Sequence, residues 1–504
     1  MGHSRFFLVA VFLLINNVFP GISGKISGIL VDADSGSPMS GVNILVRNTS
    51  LGSVSDSDGS FTILNLPPGI YDIDISMIGY AKHSITGVEV KIDQTTIISV
   101  KMIQKSIEMA TVTVQAKRPI VIPDISNSQI NISSKEIETL PFDEIIDVIG
   151  LQSGIEGMSV RGGGSRESLF QVDGISYNDE RSNVPYTSLP MGIIQEVQVQ
   201  TGGFNAEYGN IRSGIVNVIL AEGNKDRIHG GFTFRHSPPA QKHFGTSLFS
   251  RNSYFLRPFL DDNVAWSGTE NGNWDAYTKR QYPSFEGWNA IADATLNDND
   301  LSNDMTPKAA QQIFKWEHRR YGVIQHPDEN VDFYLKGPVP YFSKNLGALR
   351  FLISYRSENE AFVFPLSFKN YDDKSTLIKL TADFSRKTKF NFSFQSGTIQ
   401  SVSPYNWKTT PTGYFLRTTY EVANLLNSSS GNSILFMPGY FSPTKLNRSI
   451  VGFRLTHMVS EKEFFDIVLQ LQSNIYDTYQ TLDRDTSKQY AIIPGNDHYL
   501  ADEA

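Results

Sequence analysis

The sequence predicts a mainly β protein in three parts: an N-terminal β-sandwich, a central α+β module and a set of long antiparallel strands. Short apolar alternations separated by Gly, Pro and Asp turns indicate the sandwich in residues 24–103. Between residues 349 and 471, apolar and polar side chains alternate over longer runs, which indicates strands with one apolar face. The composition, with 12% aromatic and 19% charged residues, is not that of a disordered chain.

The composition also excludes several kinds of site and partner. The chain has no cysteine, which rules out disulfides, thiolate metal sites and cysteine nucleophiles. Its 44 basic and 52 acidic residues give a formal net charge of −8. A general nucleic-acid-binding domain would be basic, so we expect no nucleic-acid partner. At ~150 residues per domain, 504 residues correspond to about three domains.

The N-terminus has the pattern of a signal peptide. Arg5 precedes ten uninterrupted apolar residues at 6–15, and Gly21 and Ser23 have the small-residue spacing of a cleavage site. We therefore predict a signal peptide over residues 1–23, with a short buried helix as the alternative. The apolar run is shorter than the ~20 residues that a membrane-spanning helix needs. Because no later segment is apolar enough, a membrane location would have to use strands.

Residues 24–103 form the first predicted domain. The ordered run from SGILVDADSGSP to YDIDISMIGY resembles the carboxypeptidase-regulatory-like domain, which implies a transthyretin-like β-sandwich. Asp56 and Asp58 before Gly59 suggest a calcium loop, but the third acid and the distal glutamate of such a loop are missing. A hairpin turn, with Gly at positive φ, explains these residues instead.

The central module, residues 119–222, contains several sequence elements in a fixed order. A stretch with helical spacing at 134–155 is followed by VRGG at 160–163, QVDGI at 171–175, IIQEVQVQTG at 193–202 and YGNIRSGIVNV at 208–218. This order resembles the plug domain of TonB-dependent outer-membrane receptors, except that Ser213 stands where a glycine is usual. The resemblance implies the following plug-motif residues: Arg161, Gly162, Asp173, Gly174, Glu196, Gly202, Tyr208, Gly209, Gly214 and Asn217. For Arg161, a functional role and a salt bridge to a barrel wall are both open.

The connector, residues 104–118, allows two interpretations. Its run IEMATVTVQA at 107–116 is rich in β-branched residues, which favours one more edge strand of the sandwich. The alternative is an extended segment that adds to the sheet of a partner. Because the segment directly precedes the plug-like module, it resembles a TonB box, although Met109 and Ala110 depart from the usual pattern. The resemblance implies binding of the protein TonB, with its inner-membrane energising complex, at these candidates: Glu108, Thr111, Val112, Thr113 and Val114.

Residues 223–504 are predicted to form the first part of an antiparallel β-barrel. Phe390, Phe392 and Phe394 alternate with polar residues, and the pattern recurs at 349–356, 377–385 and 465–471. Such strands fit either a soluble sandwich or a barrel with lipid outside and water inside, and the pattern alone does not distinguish them. The resemblance to a plug favours a transmembrane barrel.

Residues 238–329 interrupt this strand pattern. They are rich in Asn, Asp, Trp and Tyr, so we predict a long polar loop with exposed aromatic side chains, which either contacts ligand or is simply solvated. Thr306 as N-cap and Pro307 at the first helical position predict a short helix through Phe314 to His318.

The third part is too short for a whole plugged barrel. Such a barrel has about 22 strands, which at ~10 residues each need about 220 residues. Residues 223–504 number 282, and the predicted loop takes about 92 of them. We therefore expect the chain to be truncated within the barrel.

The resemblances imply a receptor of the cell outer membrane that takes up a scarce or large nutrient, such as a glycan, a siderophore, cobalamin or a peptide. The expected partners are TonB, the lipid bilayer and a substrate-binding surface lipoprotein. No cofactor, metal site or catalytic residue is expected, and the chain is not expected to be an enzyme.

Two other functions compete with transport. A non-transporting adhesive or structural surface protein would need neither a TonB box nor a plug. A zinc carboxypeptidase-related enzyme would use the H-x-x-E pair His326 and Glu329, with His457 as a third ligand. A chain with nine histidines produces such a match by chance, and no H-E-x-x-H or G-x-S-x-G motif accompanies it.

Overall fold

The structure, a computed structural model, covers the three predicted parts but not the predicted signal peptide, of which only Ile22 and Ser23 are described. Among the described residues, no helix is both long and apolar enough to cross a membrane. The structure describes residues 22–49, 51–104, 112–115, 128–164, 166–204, 211–318, 324–385, 387–406, 414–427, 441–460, 463–479, 485–491 and 499–502.

The sandwich comprises β1 (Gly24–Asp32), β2 (Asn43–Val46), β3 (Gly52–Val54), β4 (Ser60–Leu66), β5 (Gly69–Ser76), β6 (His83–Val90), β7 (Thr95–Met102) and β8 (Val112–Gln115). One sheet has the order β4-β1-β7 and the other β3-β2-β5-β6-β8. Alternate side chains of both sheets, such as Ile26 and Ile75, meet in one apolar core. Gly59 has a φ of 74°, as expected for the predicted hairpin turn.

The last strand of the sandwich comes from the connector. β8 pairs in parallel with β6, so that Val112 lies opposite His83 and Gln115 lies opposite Thr86. Since β8 stands last in the sheet order, the connector forms an edge strand at these four residues.

The central module comprises β9 (Ser128–Ser133), α1 (Ser134–Ile137), α2 (Ile145–Gly150), β10 (Ile155–Glu156), β11 (Ser159–Val160), β12 (Leu169–Val172), β13 (Ile175–Ser176), β14 (Ile194–Gly202) and β15 (Ile215–Leu220). Its main sheet has the order β13-β12-β15-β14-β9, and β10 pairs with β11 alone. The predicted helical stretch at 134–155 is divided into two helices, because Pro141 between them has no N–H to continue the first.

Seven antiparallel strands follow, which we call the wall: β16 (His229–Ser237), β17 (Asp328–Pro338), β18 (Arg350–Ala361), β19 (Asn370–Ser385), β20 (Thr388–Asn406), β21 (Phe441–Met458) and β22 (Phe464–Thr478). They pair in chain order, so β16 and β22 are the edges of the described sheet. The connections at one end, such as 238–327 and 407–440, are long, whereas 386–387 and 459–463 at the other end are short. This asymmetry is typical of outer-membrane barrels, whose short turns face the periplasm.

The two faces of the wall differ in polarity, as the sequence predicts. Strand pairing aligns the outward residues in apolar rows, for example Ile378, Phe394, Val451 and Leu471. Leu471 is 70% exposed. The neighbouring inward row contains Lys379, which is buried against the central module. The core of the central module also includes three inward residues of the wall, namely Leu352, Leu377 and Ile450.

The long connection at 238–327, which we call the helical insertion, differs from the prediction. Its described part contains α3 (Arg257–Leu260), α4 (Gly268–Asn271), α5 (Ala276–Gln281), α6 (Trp288–Leu296) and α7 (Pro307–Glu317). The prediction of a polar loop with exposed aromatic residues was wrong, because Phe259, Phe285, Trp288 and Phe314 are buried in a common core. Tyr186 of the central module belongs to the same core, so the insertion lies over that module.

The helix predicted inside this connection is present. Thr306 Oγ1 accepts a hydrogen bond from Ala309 N at 3.2 Å, and Pro307 occupies the first position of α7. Two further elements complete the described part of the chain: α8 (Thr419–Asn424) in a second long connection, and a hairpin of β23 (Asp485–Ala491) and β24 (Tyr499–Asp502).

Candidate functional site

The turn between β12 and β13 joins the central module to the wall. Asp173 and Gly174 have φ angles of 51° and 73°, and two successive positive φ values form the tight hairpin turn that Asp-Gly favours. Asp173 Oδ2 lies 2.8 Å from Lys379 Nζ on the inward face of β19. Leu220 N donates to Asp173 Oδ1 at 3.0 Å, and Lys379 Nζ donates to Leu220 O at 3.1 Å. Both charged side chains are therefore buried but fully paired.

A second ionic contact lies where the chain leaves the central module. Arg350 Nη2 is 3.0 Å from Glu222 Oε2, and Lys389 Nζ donates to Glu222 Oε1. Arg350 Nη1 also pairs with Asp383 at 2.8 Å. Burial by itself would raise the pKa of Glu222, but the charges of Lys389, Arg350 and Lys379 lower it to about 2. Glu222 is consequently ionised at neutral pH and holds the start of the wall strands together.

A third set of contacts connects the central module with the edge strand β22. Gln470 Nε2 donates to Ser176 O at 2.9 Å. Higher on the same strand, Asn474 Nδ2 and Tyr476 Oη donate to the two carboxylate oxygens of Asp179 at 3.1 and 2.7 Å. Polar side chains at alternate positions of one strand thus bind the module, while the intervening side chains point away from it.

Arg161 and Gly162 form a tight turn rather than an ionic contact. Their φ angles are 51° and 78°. No acidic residue of the described wall pairs with Arg161, so the salt bridge considered from the sequence is not found there. A Cβ atom at Gly202 would lie 3.0 Å from Arg161 Nη1, which shows that the guanidinium group covers this glycine. The side chain of Arg161 thus packs against the end of β14.

The last strand of the motif depends on close packing. A Cβ atom at Gly214 would come within 2.6 Å of Val160 Cγ2, so only glycine fits there. Ser213 Oγ accepts from Val160 N and donates to Val160 O, both at 3.0 Å, which gives this unusual serine a structural role. Asn217 Oδ1 accepts from Gly174 N at 3.3 Å and supports the hairpin turn. Tyr208 and Gly209 lie outside the described residues.

One face of the main sheet of the central module is polar. We call it the amide face, and it consists of Gln129, Asn131, Glu196, Gln198 and Gln200. Alternation along β9 and β14 places these side chains opposite the apolar core, in which Val197 and Val199 lie. Glu196, Gln198 and Gln200 are nevertheless at most 3% exposed.

The sandwich contacts the amide face through the turn between β6 and β7. Gln94 Nε2 donates to Asn131 Oδ1 at 3.2 Å, and Gln198 Nε2 donates to Ile92 O at 3.4 Å. Asn131 Nδ2 donates to Glu196 Oε1. Burial raises the pKa of Glu196 to about 7, and the hydrogen bond from Asn131 offsets this only in part. The only carboxyl group of the amide face therefore titrates near neutral pH.

The described TonB-box candidates lie on the sandwich, apart from the plug-motif residues of the central module. Val112, Thr113 and Val114 lie in β8 on the sandwich, whereas Glu108 and Thr111 lie outside the described residues.

Several residues of the site were not singled out from the sequence. Lys379 and Lys389 were assigned only to the polar face of their strands, and Glu222 and Arg350 were given no role. The sequence signal that could have identified these residues is a charged residue at a position that faces the interior, because a buried charge needs a partner. The partner itself is not visible in the local sequence.

The residues of the zinc alternative do not come together. His326 Nδ1 lies 2.8 Å from Pro327 O, and Glu329 Oε1 lies 3.2 Å from His236 Nδ1. The strand register places Glu329 at the same height in the sheet as Lys445 of β21. His457 lies twelve residues further along β21, so Glu329 and His457 are about 40 Å apart. Among the described residues, no group of three or more His, Asp or Glu could hold a metal ion.

With this geometry established, the comparisons assign the first two parts of the chain. Residues 26–114 match the CarboxypepD_reg-like domain. Residues 123–216 match the TonB-dependent receptor plug domain. The central module is a TonB-dependent receptor plug domain. Both predicted resemblances are confirmed, and the first match extends into β8.

Relatives of known name agree with this assignment. The TonB-dependent transporter Oar of Myxococcus xanthus is 24% identical over 249 residues, which cover 46% of this chain and 23% of that protein. The vitamin B12 transporter BtuB of Vibrio vulnificus is 33% identical over 100 residues, or 18% of this chain and 16% of that protein. The aligned part of the chain thus spans less than a quarter of the length of these relatives.

The chain also has a partial likeness to solved structures of proteins named as a ferric citrate transporter and a siderophore receptor. The ferric citrate transporter FecA is 10% identical with a TM-score of 0.41, over 71% of this chain and 42% of that chain. The siderophore receptor PirA from Pseudomonas aeruginosa is 12% identical with a TM-score of 0.38, over 69% and 41%. The predicted fold class is confirmed: a mainly β chain with a sandwich, an α+β plug and a seven-stranded antiparallel wall that is consistent with part of a barrel.

Proposed function

We propose that this protein is an outer-membrane receptor that takes up a nutrient with energy delivered by TonB. In this proposal the signal peptide at 1–23 exports the chain, and the wall belongs to a barrel embedded in the outer membrane. The plug blocks the interior of that barrel until TonB moves it. No covalent chemistry is involved, so the proposal names no catalytic residue and no cofactor.

The observation that supports this proposal most strongly is the contact of the plug with the inward face of the wall. The plug is bound there by the buried Asp173–Lys379 pair, by Glu222 with its two cations, and by the polar side chains of β22. An adhesive surface protein would have no need for a removable body in this position. These polar and ionic contacts hold the plug in place while the site is closed, and water can replace each of them once the site opens.

The outward face supports a location in lipid. Its rows of Phe, Ile and Leu side chains form an exposed apolar band, and such bands on soluble proteins are rarely larger than a few hundred Å². The short turns then face the periplasm. β8 belongs to the sandwich, and Tyr71 of the sandwich lies in the same cleft as Glu222 and Lys389 at this short-turn end. This supports the proposal, because the three described TonB-box candidates, Val112, Thr113 and Val114, belong to a domain on the side from which TonB would approach.

The substrate would enter from the side of the long connections. The aromatic core of the helical insertion lies over the plug there, so this insertion would control access. The relatives named above include a vitamin B12 transporter. We propose a substrate from the classes of glycans, siderophores, cobalamins or peptides, and a substrate-binding surface lipoprotein as a further partner.

Deletion of residues 107–116 in the cells that make this protein tests the proposal. Uptake of a labelled panel of glycan, ferric siderophore, cobalamin and peptide is compared between parent and deletion strains, with and without a protonophore. We expect at least one probe to require both the proton gradient and the deleted segment. Replacement of the fully exposed Ile78 by Ser on the sandwich is the control and should leave uptake intact. Parental uptake that persists after the deletion would contradict the proposal.

A further inference from the structure

We propose that the sandwich is a movable cap on the amide face of the plug, and that it leaves the plug together with β8 when a strand of TonB adds to the free edge of β8. This inference rests on the proposed function, which supplies TonB as the partner. It adds that TonB and the sandwich share one sheet, that the sandwich is the domain that moves, and that it moves before the plug opens.

The surface that TonB would use is the outer edge of β8. β8 is the terminal strand of a five-stranded sheet, and its inner edge is bonded to β6. No strand in the described part of the chain pairs with its outer edge. The sequence Val112-Thr-Val-Gln115 contains β-branched residues but no proline or charge, the features that normally protect an edge from pairing. A partner strand can therefore add to β8 without displacing it from β6.

The sandwich is held on the plug more weakly than the plug is held on the wall. The cores of the plug and the sandwich share no residue, whereas the plug core includes Leu352, Leu377 and Ile450 of the wall. The contacts with the amide face are a small number of hydrogen bonds from side-chain amides and the backbone, such as Gln94 to Asn131 and the Ile92 N–H to the Glu196 carboxyl group. The plug, by contrast, is joined to the wall by buried ion pairs. The sandwich is thus the body that separates first under load.

The length of the chain supports the same order. Twelve residues, 116–127, connect β8 with the first plug strand, and in extended form they reach about 40 Å. A domain of about 90 residues is only about 30 Å across, and the sandwich touches Asn131, three residues from the start of β9. A connection with this maximum reach permits the sandwich to move by about its own diameter while β9 stays in the plug.

Because the chain contains no cysteine, a maleimide reagent labels only the cysteine that is introduced by mutation. Gln198, fully buried under the sandwich, is replaced by Cys as a reporter of cap removal, and Val218 in the plug core is replaced by Cys as a reporter of plug opening. Labelling by N-ethylmaleimide is followed in energised cells, in cells with a protonophore, and in cells without TonB. We expect Gln198→Cys to react several-fold faster in energised cells with TonB, and Val218→Cys to react later.

A second variant tests whether β8 stays on the sandwich. Thr86 and Gln115, which are paired in the β6–β8 register, are both replaced by Cys in the Gln198→Cys background and oxidised before labelling. We expect TonB-dependent labelling of position 198 to persist, because the cap moves with β8. Loss of labelling would show that TonB peels β8 from the sandwich, which overturns the inference.

The outcomes separate this inference from the proposed function. If the protein co-purifies with TonB but position 198 reacts at the same rate with and without energy, the cap does not move and only the inference fails. Simultaneous labelling of positions 198 and 218 would likewise overturn the proposed order. If the protein does not co-purify with TonB at all, the proposed function itself fails.

Discussion

Asp173 in the plug hairpin and Lys379 in β19 form a buried ion pair, with Oδ2 and Nζ 2.8 Å apart, although 206 residues separate them in the sequence. Each also bonds to the backbone of Leu220, so neither charge is left without partners. The pair sets the position of the plug sheet relative to the wall.

We expect replacement of Lys379 by Met to destabilise the plug–wall contact by about 3–5 kcal/mol, because Asp173 would remain buried without its counter-charge. The double variant with Asp173→Asn should recover much of this loss, because the uncompensated charge is gone. Hydrogen exchange of the 169–177 segment in detergent measures the effect. Lys374 on the same strand pairs with Asp372 but is exposed, so Lys374→Met is the matched control and should change little. Equal effects of the two lysine variants would contradict the assignment.

The pKa of Glu196, raised from 4.5 to about 7 by burial, predicts a pH-dependent plug. A carboxyl group with a raised folded-state pKa contributes its full stability below pH 4.5 and loses it as the pH rises through 7. A shift of this size corresponds to about 3 kcal/mol. We expect the thermal stability of the protein to fall across this range and Glu196→Gln to remove the dependence. Glu156→Gln, at an exposed site of the same module, should leave it unchanged.

The outward face of β22 should tolerate charge only where the outward residues paired in register with the position are polar. Leu469 is 62% exposed within the apolar band, so Leu469→Lys is expected to cost about 2–4 kcal/mol of folding in a bilayer. Ser473 lies on the same face, four residues nearer the long connections, and the outward residues in register with it are polar, namely Ser449, Ser396 and Thr376. Ser473→Lys should cost about 0–1 kcal/mol. Folding into lipid vesicles under increasing denaturant provides the comparison, and identical costs at the two positions would argue against a lipid-facing wall.

The helical insertion should depend on Trp288. This side chain is fully buried, and its Nε1 donates to Phe259 O at 2.8 Å. Trp288→Ala is expected to cost about 3–5 kcal/mol and to make residues 238–327 sensitive to limited proteolysis, while the strands remain protected. Trp316 is 41% exposed, and Trp316→Ala should leave the insertion resistant. An insertion equally resistant in both variants would show that the aromatic core is not what holds it.

Local features of the fold could be predicted from the sequence. The two faces of β19 and β20 follow from a period of two along an extended backbone, and the start of α7 follows from a threonine cap before a proline. Both depend only on neighbouring residues. The tight turn at Asp173 and Gly174 was also recognisable, because few residue pairs adopt two positive φ angles.

Features that depend on distant partners could not be predicted. The sequence around Trp288 is as polar as a solvated loop, and only the approach of Phe259, Phe285 and Phe314 makes it a core. The pairing of Lys379 with Asp173 depends on how the plug is oriented inside the wall. For β8, both interpretations of the connector were physically sound, and its pairing with β6 depends on a distant strand edge that the local sequence does not show.

The central claim, that TonB engages β8 to move the plug, is tested most directly by calorimetric titration of the periplasmic domain of TonB into the purified protein in detergent. Val112→Pro removes a backbone N–H from β8, and Ile78→Ser changes an exposed side chain elsewhere on the sandwich. We predict saturable binding by the parent and by Ile78→Ser, and none by Val112→Pro. Absence of binding by the parent, or undiminished binding by Val112→Pro, would contradict the claim.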